Sequence, residues 1–128
     1  MKRAFSSAPW ETQIGYCRAV RAGSHIYVSG SAPIQHGKLV GRGDAHAQAR
    51  RCCEVIAEAL AQLGAPLSSV VRTRMFVTDI RHWADYGRAH QEFFGANPPA
   101  TSMVEVRALI DPDMLIEIEA EAVTAEDA

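Results

Sequence analysis

Residues 115–122 read Leu-Ile-Glu-Ile-Glu-Ala-Glu-Ala. This strict alternation puts Ile116, Ile118, Ala120 and Ala122 on one side of an extended strand and Glu117, Glu119 and Glu121 on the other. A period of two fits a sheet with one covered face and one polar face. A slip of one residue would bury the carboxylates, so the pairing of this strand is strongly specified. Carboxylates about 7 Å apart along a strand ordinarily form a solvated sheet face, and that is the default reading of the three glutamates. A shorter alternation precedes them in residues 100–106, where Val104 and Val106 share one side.

Upstream, residues 16–30 read as two short strands around the turn Ala22-Gly23-Ser24, and Gly37, Gly41 and Gly43 mark a loop or hairpin. Asp44 suits a helix cap. After it Ala49, Cys52, Ile56, Ala59, Leu60 and Leu63 recur at helical spacing until Gly64 and Pro66, with Arg50, Arg51, Glu54, Glu58 and Gln62 on the side expected to meet water. A strand spans residues 70–78. A second amphipathic helix follows from about Ile80 to Phe94, with a stripe of Trp83, Tyr86, His90, Phe93 and Phe94. The order strand, strand, helix, strand, helix, strand, strand predicts an α+β domain over residues 1–128, with both helices on one face of a mixed sheet. The other face must be polar or covered, and a single-layer sheet commonly meets that need by oligomerising.

Composition excludes several classes of partner. At 128 residues with 48% hydrophobic and 22% charged side chains, the chain can bury a core without staples. A net charge of -2 gives no basic field for nucleic acid or for an anionic membrane. The first residues lack the apolar run of a secretion signal, and no stretch approaches the roughly 20 residues needed to span a bilayer. The chain is therefore expected in the cytoplasm. Three cysteines, two of them the neighbours Cys52 and Cys53, fit reduced thiols. Cys17 has no histidine near it in sequence and reads as packing. The cysteines and five histidines show no metal-ligand spacing, and no cofactor motif is present. No G-x-S-x-G elbow frames Ser29 or Ser31, which argues against a serine nucleophile.

The segments Gly15-Tyr16-Cys17-Arg18-Ala19-Val20, Tyr27-Val28-Ser29-Gly30-Ser31-Ala32-Pro33, residues 71–79 and the two closing strands together resemble the RidA/YjgF (reactive intermediate deaminase) superfamily. The resemblance implies a chorismate-mutase-like fold and a homotrimer with small-molecule sites between subunits. The activity it implies is hydrolysis of reactive enamines and imines, such as those released from serine or threonine by pyridoxal-phosphate enzymes, to the keto acid and ammonia.

A 2-imino acid carries a carboxylate that a guanidinium can grip with two parallel hydrogen bonds, and a carboxylate, with or without a hydroxyl, can hold or deprotonate the water over the C=N carbon. By resemblance, Glu117 falls where the family's water-holding glutamate stands, and Tyr16 and Ser29 fall at site positions. Thr101 occupies the place of the carboxylate-gripping arginine, Met103 that of a residue often cysteine, and Gly87 that of a common asparagine. Arg107 lies about 20 Å along the strand from Thr101, too far to act as a substitute. Arg18 is a closer candidate, about 6.5 Å from Tyr16 if both lie on one strand face, although a strand arginine is ordinarily a surface charge. Arg72 and Arg74 form a possible anion site or, more simply, pair with Glu105 or Glu119. His90 reads as a core or interface histidine.

These residues leave three functions open. The first is a hydrolase of imines or enamines with altered substrate range. The second is a non-catalytic trimer binding a small ligand in the same clefts. The third is a ribonuclease, suggested by the "endoribonuclease" label carried by some relatives and opposed by the lack of a basic run.

Overall fold

A computed structural model describes residues 1–125; residues 126–128, the end of the span expected as one domain, lie outside the described residues. The elements are β1 (Lys2–Ala4), α1 (Trp10–Ile14), β2 (Ala19–Ala22), β3 (His25–Ser31), β4 (Ile34–Gln35), β5 (Lys38–Leu39), α2 (Ala45–Gln62), β6 (Val70–Val77), α3 (Trp83–Phe94), β7 (Ala100–Glu105) and β8 (Ile116–Val123). Six strands form one mixed sheet in the order β1-β2-β3-β8-β6-β7, and β4 and β5 make a separate hairpin. β6 and β7 run parallel, joined through α3, and the other pairings are antiparallel.

The alternation of β8 sets the two faces. Ile116, Ile118, Ala120 and Ala122 are at most 2% exposed and meet Ile26, Val28, Met75 and Val77 in one core under the helices. The expected stripe of α2 is buried, and Asp44 caps that helix by accepting from the Ala47 amide. Gln48, fully buried, ties α2 to the loop before β8. Its amide donates to the Gly41 and Asp113 carbonyls, and its oxygen accepts from the Leu115 amide.

Several expectations need correction. Arg51 does not face water. It is 8% exposed, donates to the Ile34 carbonyl and pairs with Glu54 and Glu58, so it pins the β4–β5 hairpin to α2. The second helix begins at Trp83, after a separate 3-10 turn at Ile80–His82 whose Asp79 accepts from the Arg81 amide, and Trp83 is 63% exposed instead of buried. In β7, where the valine alternation left the facing side open, the Val104 side is the uncovered one. Val104 is 46% exposed beside Phe76, whereas Met103 packs inward beside Met75. β7 is an edge strand, so its register is fixed by β6 alone and its apolar pattern is a weak guide.

Tyr86 is fully buried, and its hydroxyl lacks a hydrogen-bond partner among the described residues. Removing an unsatisfied buried hydroxyl while keeping the ring relieves a desolvation cost. Tyr86→Phe is therefore expected to stabilise the fold by about 1 kcal/mol in urea unfolding.

Candidate functional site

Tyr16, Cys17 and Arg18 precede β2 instead of lying in it, so the strand spacing used above does not apply. The fold nevertheless brings them together, because Gly15 ends α1 in a left-handed turn and sends the chain back along β3. Arg18 is not a surface charge. It is 2% exposed and pairs through Nε with Glu11, itself 4% exposed, at 3.2 Å. Its Nη1 donates to the Gly30 carbonyl and to Ser31 Oγ (3.3 Å), and its Nη2 donates to the Tyr16 hydroxyl at 3.3 Å. The guanidinium also lies 5.4 Å from the centre of the Tyr16 ring. Its Nε and Nη1 are committed to the protein, so what Arg18 can offer a ligand in the cavity it lines is the second N–H of Nη2.

The carbonyls that Arg18 holds belong to an irregular stretch of β3. Pairing with β8 shifts register between Val28, opposite Ala120, and Ser31, opposite Ile118, which leaves Ser29 and Gly30 as a bulge opposite Glu119. Bulges of this kind commonly re-aim side chains beside functional sites. Here the bulge makes room for Glu117, since a Cβ built on Gly30 would overlap the Glu117 carboxylate.

A cavity of about 350 Å³ opens at this point, lined by Trp10, Tyr16, Arg18, Ser29, Ile110 and Glu117, among others. The hydrogen bonds already made decide what each wall offers. The Ser29 hydroxyl donates to the Cys17 carbonyl at 2.8 Å, which leaves its lone pairs for a ligand. The Tyr16 oxygen accepts from Arg18, so its proton remains available. Burial pushes the Glu117 carboxyl above the ordinary range; the Arg18 guanidinium opposes that shift and the Glu119 carboxylate adds to it. The site thus presents a carboxylate of raised basicity, one hydroxyl donor and one hydroxyl acceptor, with apolar walls from Trp10 and Ile110.

The raised Glu117 affects stability as well. A carboxyl whose folded pKa exceeds its unfolded value binds more protons when folded. Stability therefore falls as pH rises through the interval between the two values, and the deficit persists above it. Glu117→Gln should melt at a higher temperature than wild type at pH 7, and the difference should vanish near about pH 3.5, below the usual glutamate range. Equal melting temperatures at both pH values would contradict this.

Thr101 and Met103 lie elsewhere within one chain. Both are on β7, on the helix-covered side of the sheet, whereas Glu117 is on the open side. Met103 packs against the core, and Thr101 borders a separate shallow cavity of about 210 Å³ with Gly87, His90, Gln91, Pro98 and Pro99. The two halves of the expected site can meet only if the β7 edge of one chain approaches the open face of another. That open face carries exposed Tyr27, Val104 and Val123. Arg74 on the same face pairs with Glu119 at 3.4 Å and Glu121 at 3.0 Å, so the pairing reading holds for this arginine. Glu105 instead accepts from the Ile80 amide.

Sequence reasoning missed Glu11, Gly30 and Thr73. Gly30 was legible only as part of a motif, and Glu11 carried no signal because its role depends on the fold. Cys52 and Cys53 are fully buried; burial raises both thiols, Cys53 to about 12, which suits packing and not nucleophilic chemistry. A further cavity of about 260 Å³ lies between residues 5–8 and α2, where the Arg51 guanidinium is already committed. No helix among the described residues is long and apolar enough to cross a membrane.

Comparison with known proteins gives a consistent result. Residues 6–124 match the family described as Endoribonuclease L-PSP. The crystal structure of Rv2704 from Mycobacterium tuberculosis, a member of the YjgF/YER057c/UK114 family, is 43% identical. It superposes with a TM-score of 0.87, covering 96% of this chain and 98% of that one. A RutC family protein of Pyrococcus abyssi is 37% identical over 107 residues, 82% of this chain and 83% of its own. Escherichia coli TdcF, whose structure holds bound serine, is 27% identical with a TM-score of 0.82, covering 98% of this chain and 96% of that one.

Proposed function

The chain belongs to the Endoribonuclease L-PSP family, also known as YjgF or RidA, and on that premise we propose that it hydrolyses a small imine or enamine in clefts between the subunits of a homotrimer. The observation that carries this reading is Glu117. It is a carboxylate of raised basicity lining a cavity beside a bulge whose glycine leaves it room.

The chemistry follows from the groups present. A water held by Glu117 attacks the C=N carbon as the carboxylate takes its proton, and Glu117 passes that proton to the substrate nitrogen, which gives a carbinolamine and restores the carboxylate. The C–N bond then breaks, ammonia leaves and the hydroxyl becomes the carbonyl. The sum is imine plus water to carbonyl compound plus ammonia. Tyr16 can donate to an oxygen, and Ser29 can accept from an N–H, which suits the polarity of the departing amine. Trimer formation is supported by the opposite placement of Thr101 and Glu117 and by the apolar residues on the open sheet face.

A ligand-binding trimer without turnover is the second reading, favoured by the serine bound to the relative TdcF. Cleavage of RNA has the least support, because the net charge is -2 and the sequence carries no basic run to meet phosphates.

The test generates 2-imino acids with an amino-acid oxidase and traps what remains with semicarbazide, for wild type, Glu117→Gln and Thr101→Arg. Wild-type activity lost in Glu117→Gln supports the hydrolase. Activity only in Thr101→Arg, or in none of the three, removes 2-imino acids as substrates and leaves the uncharged imines discussed below to decide between hydrolase and binder.

A further inference from the structure

The cavity beside Thr101 is backed by a chain of hydrogen bonds that neither the family resemblance nor the sequence pattern points to. Thr73 Oγ1 lies 2.7 Å from Thr101 Oγ1 and 2.8 Å from His90 Nε2. Thr73 is fully buried, whereas Thr101 is exposed at the cavity. A hydroxyl has one proton to donate, so the chain has two consistent directions. If His90 Nε2 carries a proton, it donates to Thr73, Thr73 donates to Thr101, and Thr101 donates outward. If Nε2 is bare, every bond reverses and Thr101 presents an acceptor outward.

None of the residues lining this cavity carries a formal charge while His90 is neutral. Burial alone favours the neutral ring, with Phe94 of the same helix packed 4.7 Å away and no charged neighbour contributing. A carboxylate placed here would lose hydration without gaining a cation. An uncharged group can be served in either direction of the chain.

We propose that His90 and Thr73 are positioning residues that set the direction of the Thr101 hydroxyl, so that this end of the cleft takes an uncharged carboxamide-like group in place of a carboxylate. The inference rests on the reading that the β7 edge completes a neighbouring subunit's Glu117 cavity.

The test titrates protein carrying ¹⁵N-labelled histidine with pyruvamide and with pyruvate, following the His90 ring nitrogens by NMR. Pyruvamide should bind at least about tenfold more tightly, the factor associated with one well-made against one mismatched polar contact. Its binding should also shift the His90 resonances. Thr73→Val cuts the chain; it should erase most of the preference and uncouple the His90 signal from the ligand. His90→Gln, which can still bond Thr73, should keep more of the preference than His90→Phe.

Equal or tighter binding of pyruvate, no binding of pyruvamide, a His90 spectrum indifferent to bound ligand, or an unchanged preference in Thr73→Val would each overturn the proposal. Glu117→Gln, titrated in parallel and assayed for turnover, separates the two readings. Turnover can be absent while the His90-dependent preference persists, and the converse is equally visible.

Discussion

Glu11→Ala is expected to destabilise the protein by about 3–5 kcal/mol in urea unfolding, the cost of removing one partner from a buried ion pair. Glu11 and Arg18 are 4% and 2% exposed, and Glu11 also accepts from the Ser6 amide at 3.0 Å and from the Ser6 hydroxyl. The alanine would leave a guanidinium buried beside the carbonyls of Ser29 and Gly30 without its counter-charge. Glu11→Gln keeps an acceptor for Ser6 and should cost less. The distinction matters for function, because Arg18 both supports the bulge and tempers the basicity of Glu117. A loss below about 1 kcal/mol, the scale of an exposed pair, would show that the pair is solvated in solution and that the bulge is held by other means.

Gly30→Ala is expected to lower turnover of any Glu117-dependent reaction by about 100-fold or more, the scale of a misplacement of about 1 Å at a reacting group. Gly30 does not lie in the left-handed region, so backbone strain does not enter. The added Cβ would occupy the space of the Glu117 carboxylate, and the carboxylate must swing away. Thermal melting should change much less than turnover, since the clash can be relieved by rotating one side chain into the cavity. Comparable turnover in Gly30→Ala and wild type would mean that Glu117 does not work from the position described.

The sequence carried the sheet well where burial was one-sided. β8 and α2 showed clear periods because each presents a single apolar side to one core, and the structure follows both. The period was a weak guide at β7, an edge strand with one neighbour, where the methionine faces inward and the valine outward. Arg18 was misjudged for a different reason. Its partner Glu11 lies on a five-residue helix too short to give a periodic signal, and the carbonyls it holds exist as acceptors only because β3 bulges. The His90–Thr73–Thr101 chain joins three elements, and no local pattern could have connected them. Family resemblance supplied the positions of Tyr16, Ser29, Glu117 and Thr101, while the division of these residues between the two sides of the sheet became visible only in three dimensions.

The most direct experiment supplies an imine without a carboxylate. A flavin-dependent amine oxidase would release one from a primary amine, and semicarbazide would trap what survives in the presence of wild-type protein, Glu117→Gln or Gly30→Ala. If Glu117 activates water for a substrate without a carboxylate, wild type should shorten the lifetime of the imine and both variants should lose the effect while remaining folded. An imine lifetime unchanged by wild-type protein, or shortened equally by Glu117→Gln, would contradict hydrolysis at Glu117. The first of these outcomes would leave the cavity as a binding site, and the second would place any catalysis elsewhere on the molecule.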